Sequence, residues 1–283
     1  MMKNVLRTLI FDNQVSLTLI DGTEMVNKAI ALHHLSPNSA KILGRALCAM
    51  SFASAALKME SGEVSLSLQC DGEVGSLGVS GNYALNMRGY IQNTQILCEE
   101  KAAFGQTGVF TVIRDDGYRR PFVGTCAIPQ NQDIDAAFEQ YYQTSEQLPT
   151  YIKTTVELDE SGACTFAGVA VLQPLPFAEE VVLNIAANYP LDALLYAMQA
   201  VGVEQAAEKE FGKHESVWDV RSAQYKCNCS KDYLSRVLIT LGEEELRRIV
   251  KEDGDIKVHC HYCNTDYCFT DEDIDGLFPK NIH

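Results

Sequence analysis

The sequence predicts an α+β protein: a large N-terminal mixed α/β-sheet domain, a helical linker arm and a small C-terminal module gathered around cysteines. Three observations carry this. Short runs of alternating apolar and polar residues, closed by turns rich in Asp and Gly, dominate residues 1–177. From Phe177 to about Val217 the pattern changes to helical spacing alone. Half of the ten cysteines then fall between positions 227 and 268 of the 283.

In the first domain Thr23 is placed to cap a helix in which Met25, Val26, Ala29, Ile30 and His33 share a face. His33, at the end of that helix, reads as a packed or C-capping residue rather than a ligand. Ser36-Pro37 is an N-cap followed by proline at the first helical position, and Leu43, Ala46, Leu47, Met50, Ala53 and Leu57 continue with helical spacing. Val64, Leu66, Leu68 and Cys70 alternate with polar partners up to the Asp71-Gly72 turn; Leu77 and Val79, then Leu85, Met87 and Ile91, mark two further strands. Val109 to Ile113, the Asp115-Asp116-Gly117 turn and Pro121 to Ile128 form a hairpin. A helix from Asp133 to about Glu146 precedes two more strands, Tyr151 to Leu158 and Cys164 to Leu172. Strands outnumber helices and pair through short turns, so residues 1–177 read as one α+β domain.

Residues 178–224 carry Val181, Val182, Ile185, Leu191, Leu194, Leu195 and Met198 on apolar faces broken at Tyr189-Pro190. The segment is too helical for a flexible linker and too short to own a core, so it is expected to be an arm packed on another part of the chain. In the last unit, 225–283, Ser230 caps a helix with Leu234, Val237, Leu238 and Leu241 on one face, ended by Gly242. Glu243 to Glu245 open a second helix at its positive end. Ile256 and Val258 lead into Cys260-His261-Tyr262-Cys263, Tyr267-Cys268-Phe269 returns as a short strand, and Thr270 to Asp273 start a third helix.

Composition removes several function classes. Apolar residues at 46% and charged residues at 22% are ordinary for a globular chain. No stretch of 18 uncharged apolar residues occurs, and the most apolar helix, Pro37 to Lys58, is interrupted by Lys41 and Arg45, so no membrane span is expected. The N-terminus lacks an apolar run before Asp12, which argues against a secretory signal and for a cytoplasmic location. A net charge of −15 repels a phosphate backbone, which argues against nucleic acid as a partner. Ten cysteines in such a chain read as thiols kept reduced rather than a disulfide framework. Cys48, Cys70, Cys98, Cys126 and Cys164, spread singly, read as small buried hydrophobes.

The clustered cysteines have ligand spacing. Cys260-x-x-Cys263 offers two sulfurs from one tight turn, and Cys227-x-Cys229 offers two more at the mouth of a helix, where thiolates are favoured. The 30 residues between Cys229 and Cys260 hold two short helices, enough to bring the pairs together around one Zn2+. His259 and His261 flank the ligands as bystanders, since four thiolates leave no vacancy. A disulfide across the single residue between Cys227 and Cys229 would close a strained, easily reversed ring, which fits a switch. Spacing alone leaves an inert structural site equally open.

The string Tyr225-Lys-Cys-Asn-Cys-Ser230, with Leu241 to Leu246 (LGEEEL) and Val258-His-Cys-His-Tyr-Cys263, resembles the redox-regulated heat-shock chaperone family of about 33 kDa. Leu68 to Gly75 (LQCDGEVG), Met87-Arg-Gly-Tyr90, Gly108 to Val112 and Tyr141 to Pro149 (YYQTSEQLP) extend the resemblance over nearly the whole chain. The resemblance implies a cytosolic holdase rather than an enzyme. It implies zinc on Cys227, Cys229, Cys260 and Cys263 in the reduced form, and disulfides Cys227–Cys229 and Cys260–Cys263 after oxidation by peroxide with mild unfolding, or by hypochlorite. Zinc then leaves, the C-terminal unit and arm unfold, and apolar surface captures unfolding client proteins, usually with formation of a homodimer. Cys268 departs from the expected apolar or aromatic residue; it reads as a buried strand residue, or else as a fifth thiol able to exchange with a neighbouring disulfide.

Two rivals differ in class. A thiol–disulfide oxidoreductase could use Cys260-x-x-Cys263, but no thioredoxin-like βαβ helix follows that pair. A zinc-ribbon adaptor for nucleic acid should be basic, whereas residues 227–283 carry seven Lys and Arg against twelve Asp and Glu.

Overall fold

The computed structural model describes residues 4–128, 133–212, 217–218 and 221–278. The chain forms two compact units, Met1–Lys226 and Cys227–His283.

The first unit is built on two sheets. β1 (Val5–Ile10) and β2 (Val15–Asp21) pair antiparallel, Val5 opposite Ile20 and Ile10 opposite Val15. Two helices follow, α1 (Thr23–His33) and α2 (Pro37–Ala55). The Ser36 hydroxyl accepts from Ser39 N and Pro37 opens α2, as expected from the sequence. Thr23, expected to cap α1, is instead its first residue. Asp21 Oδ1 accepts from Thr23 N (2.9 Å) and from the Thr23 hydroxyl (2.7 Å), because a carboxylate two residues upstream reaches the free N–H groups first.

A second, six-stranded sheet follows from β3 (Glu63–Cys70), β4 (Ser76–Asn82), β5 (Asn86–Ile91), β6 (Gly108–Asp115) and β7 (Phe122–Ala127), with the short helix α3 (Glu100–Ala103) between β5 and β6. The chain continues through α4 (Ile134–Tyr141), a π-helical turn (Tyr142–Glu146), β8 (Tyr151–Leu158) and β9 (Cys164–Pro174). The order in the first sheet is β10-β1-β2-β9-β8 and in the second β11-β5-β4-β3-β6-β7, where β10 is Val217–Trp218 and β11 is Gln224–Tyr225. All pairings are antiparallel except β11 on β5.

The main core lies around α2, nearly all of which is buried, and it takes side chains from both sheets. Gly44 sits where α2 meets α1 and β8: a Cβ there would come within 2.9 Å of Val156 and 3.0 Å of Val26, so only glycine fits. β9 has two buried faces. Val169 and Val171 join the main core, while Ala170 and Leu172 join a second cluster on the opposite face. That cluster is completed by α5 (Glu180–Ala187), α6 (Leu191–Val201) and α7 (Val203–Phe211), through Ala186, Leu191, Leu194, Leu195, Met198 and Val203. Strands covered on both sides read as continuous apolar runs rather than alternations, as β9 does. Among the described residues no single helix is long and apolar enough to cross a membrane; α5 and α6 pass only as a pair bent by 65°.

An ionic cluster is carried into this core. Arg45 of α2 pairs with Glu100 (2.5 Å), Asp135 (2.6 Å) and Asp133 (3.2 Å), and its Nε donates to the Thr154 hydroxyl (2.8 Å). Burial disfavours the guanidinium charge, but the three carboxylates outweigh it and hold the Arg45 pKa above its ordinary value. Removing one member of a buried ionic group leaves the others uncompensated. Arg45→Met is therefore expected to destabilise the first unit by roughly 3 kcal/mol in urea unfolding, and an unchanged midpoint would show that the carboxylates are satisfied without it.

Candidate metal centre

The second unit has a small core. α8 (Lys231–Ile239), α9 (Glu243–Asp253), the antiparallel hairpin β12 (Ile256–Cys260) and β13 (Thr265–Phe269), and α10 (Asp271–Leu277) surround Leu238, Leu246, Ile256, Phe269 and Ile274. Local signals define each element. Ser230 accepts from Tyr233 N at the start of α8, Gly242 takes φ 86° between α8 and α9, and Thr270 with Asp273 forms a capping box for α10. Arg247 bridges α9 to α10 through Asp271 and Asp275, adding a partly exposed ionic contact of small worth.

The four sequence-predicted cysteines converge. Cys227 and Cys229 lie just ahead of α8; Cys260 ends β12, and Cys263 sits in the hairpin turn, where Asn264 adopts φ 51°. Their sulfur atoms all lie within 4.8 Å of one another. Cys227 Sγ is 3.8 Å from Cys260 Sγ, and Cys229 Sγ is 3.0 Å from Cys263 Sγ. Four thiolates bound tetrahedrally at about 2.3 Å stand about 3.8 Å apart, so the set is the size of a metal site. All four side chains are half-buried.

The electrostatics favour a cation. Burial pushes the Cys227 and Cys229 thiols above their ordinary value, and the neighbouring Cys260 and Cys263 add to this for Cys227. Four thiols so placed do not ionise together without a positive charge among them, which a metal ion supplies. The group could therefore hold a metal ion.

His259 stands outside this group: its Nδ1 lies 2.7 Å from Asp266 Oδ1, and its ring packs edge-on against His261 at 5.0 Å. Cys268, expected to be buried, is exposed. The alternation of β13 turns Phe269 into the core and Cys268 to the opposite face, where its thiol donates to Asp255 Oδ2 (2.8 Å). That bond to a carboxylate raises the Cys268 pKa and keeps it a thiol.

Tyr267, which the sequence reading did not single out, has its hydroxyl 3.1 Å from Cys229 Sγ, a contact that raises the phenol's pKa. The signal was the same alternation, since Tyr267 shares the inward face with Phe269. Of the scattered cysteines, Cys48, Cys126 and Cys164 are buried and Cys70 and Cys98 partly so. Burial raises all five, Cys164 to about 12, which makes them poor nucleophiles.

Comparison with known proteins agrees over the same span. The model of the family described as Hsp33 protein matches residues 3–270. A 33 kDa chaperonin of Bacillus pumilus is 26% identical over 289 residues, covering 98% of each chain. One of Clostridium perfringens is 30% identical over 294 residues, covering 99% of this chain and 92% of that one. The crystal structure of the 33 kDa chaperonin (heat shock protein 33 homolog) of Thermotoga maritima is similar with a TM-score of 0.79 and 25% identity, over 98% of both chains. With the family pattern running through both compact units and a shared fold beneath it, the chain belongs to the Hsp33 family.

Proposed function

We propose that this chain is a redox-switched holdase, resting with zinc on Cys227, Cys229, Cys260 and Cys263 and binding unfolding proteins once those thiols are oxidised. The observation that supports it most is the convergence of four thiols in a unit whose core is five buried apolar side chains. A unit that small commonly needs a staple, and zinc supplies about 10–16 kcal/mol of apparent folding free energy in small zinc-finger peptides.

The switch follows from how the sulfurs are distributed. In the resting state Cys227 and Cys229, ahead of α8, are tied to Cys260 and Cys263 on the β12–β13 hairpin. The proposed disulfides are Cys227–Cys229 and Cys260–Cys263. Each forms when two thiolates give two electrons to an oxidant such as peroxide, whose O–O bond breaks and which leaves as water after taking up two protons. Neither disulfide joins the segment ahead of α8 to the hairpin, so the cross-link between the two is lost and the unit unfolds.

The arm, Glu180 to Phe211, is proposed to follow. Its departure would uncover Leu6, Leu17, Leu19, Phe166 and Leu172, an apolar sheet face of the kind that captures unfolding clients. The net charge of −15 keeps such a species soluble. The active form is proposed to be a homodimer acting in the cytoplasm. The oxidoreductase reading is weaker, because Cys260-x-x-Cys263 lies on a hairpin turn rather than at a helix N-terminus that would activate a thiolate.

Suppression of the aggregation of a chemically unfolded protein, followed with zinc release, tests this. The reduced chain is expected to carry one zinc and show little activity; the oxidised chain is expected to release zinc and suppress aggregation. Equal activity in both forms would favour an inert structural site. Cys260→Ser with Cys263→Ser is expected to lose zinc and gain partial activity without oxidant, and inactivity before and after unfolding stress would remove metal loss as the trigger. Cys268→Ser is expected to leave zinc content and redox control unchanged; loss of either would make Cys268 part of the centre.

A further inference from the structure

The β12–β13 hairpin has a second face. Alternation turns Val258 and Cys260 of β12, with Tyr267 and Phe269 of β13, toward the small core and the four sulfurs, and it leaves His259, Asp266 and Cys268 exposed on the opposite side. His259 stands directly across from Asp266 in the strand register. His261, two residues after His259 and also exposed, brings its ring edge-on to that of His259, with the ring centres 5.0 Å apart. Two imidazoles and a carboxylate thus share a patch outside the four-thiol group.

The contact with Asp266 decides which nitrogen of His259 is available. A carboxylate oxygen 2.7 Å from Nδ1 takes a proton from it, so in the neutral ring Nε2 keeps its lone pair. Metal-binding histidines are held in this way: one ring nitrogen donates to a carboxylate, which fixes the tautomer and makes the other nitrogen a better ligand. Stability does not account for the pair. The His259 and Asp266 side chains are 39% and 85% exposed, and an ion pair so exposed contributes little. The surrounding charge suits a cation, since residues 227–283 carry seven Lys and Arg against twelve Asp and Glu. Imidazole nitrogens select first-row ions of borderline softness such as Zn2+, whereas Ca2+ and Mg2+ prefer sets of oxygens.

We propose that His259 and His261, with Asp266 orienting His259, form a second divalent-metal site on the outer face of the hairpin, holding one zinc-like ion through the two imidazoles and water. Cys268 is not part of it. That residue lies opposite Lys257, two residues along the ladder from the His259–Asp266 pair, and its thiol proton is engaged by Asp255. The site is weaker than a four-thiolate centre, because it offers two neutral nitrogens in place of four anionic sulfurs. It does not depend on the redox switch of the proposed function.

The test is equilibrium dialysis of the reduced, full-length chain against rising Zn2+, with bound zinc counted per chain. His259→Ala, His261→Ala and Asp266→Asn are compared with the wild type, and His34→Ala, a change at another exposed histidine, and Cys268→Ser serve as controls. The wild type is expected to take up one equivalent more than either His259→Ala or His261→Ala, and the ring proton signals of both histidines are expected to shift as it binds. Asp266→Asn is expected to keep that equivalent with an affinity lowered on the order of tenfold, and both controls are expected to bind as the wild type does. The quantity read is a difference between chains, so it holds whatever metal the four thiols carry. All the substituted residues are exposed, and wild-type amide spectra for α8 to α10 report that the unit stays folded. An unchanged zinc count in either histidine variant, an unchanged affinity in Asp266→Asn, or loss of the extra equivalent in His34→Ala would overturn the site.

Discussion

Cys227, Cys229, Cys260 and Cys263 meet within 4.8 Å in a unit whose buried apolar side chains are Leu238, Leu246, Ile256, Phe269 and Ile274. That is a thin core for a unit of this length, even with Leu234, Ile249, Val250, Val258, Tyr267 and Phe278 packed partly buried against it. The hairpin, the caps and the ionic contacts of Arg247 add only small increments. Under the proposed function, a metal ion held by the four sulfurs would be the cross-link on which the folding of residues 227–278 turns. A link made of oxidisable thiolates would make that folding conditional, so the same four residues would serve both stability and the proposed switch.

The first unit is built the other way, around two clusters of buried apolar side chains. Its main core surrounds α2 and draws on both sheets, and the β1-β2-β9-β8 face opposite that core is apolar as well. An apolar outer face must be covered, and α5, α6 and α7 cover it. Under the proposed function this cover leaves while the main core around α2, a separate cluster, stays folded. Arg221, Asn4 and Tyr225, bonded to Ala55 O, Ala223 N and Gly89 O, fix where the arm ends and where the cysteine unit begins.

Much of this is written in local pattern. β3 and β5 to β8 follow from alternation with one buried face and from turns such as Asp71-Gly72, β9 follows from its continuous apolar run, and α2 follows from Ser36-Pro37. The cysteine pairs declare themselves by spacing, because metal ligation fixes separations that a turn and a helix mouth can supply. The β1–β2 hairpin was not legible: its turn, Phe11-Asp12-Asn13, takes left-handed backbone angles of 51°, 53° and 62° without a glycine to signal them. β10 and β11 are two residues each, too short for any periodicity. Tyr225 and Tyr267 act through hydroxyls at the far ends of their rings, and what those atoms reach is distant in sequence, Gly89 for one and Cys229 for the other. His33 was readable as a packed residue, but not as the partner of a residue 192 positions away. Alternation puts Cys268 on β13, but its side chain takes the exposed face, because Phe269 takes the inward one.

The central claim is that oxidation of four thiols unfolds one end of the chain and leaves the other standing. Hydrogen exchange followed along the whole wild-type chain, before and after oxidation with peroxide, addresses it most directly. Amides of residues 227–278 and of α5 to α7 are expected to lose protection while those of α2 and β3 to β6 keep it. Uniform loss along the chain, or full retention in residues 227–278 after zinc has left, would contradict it.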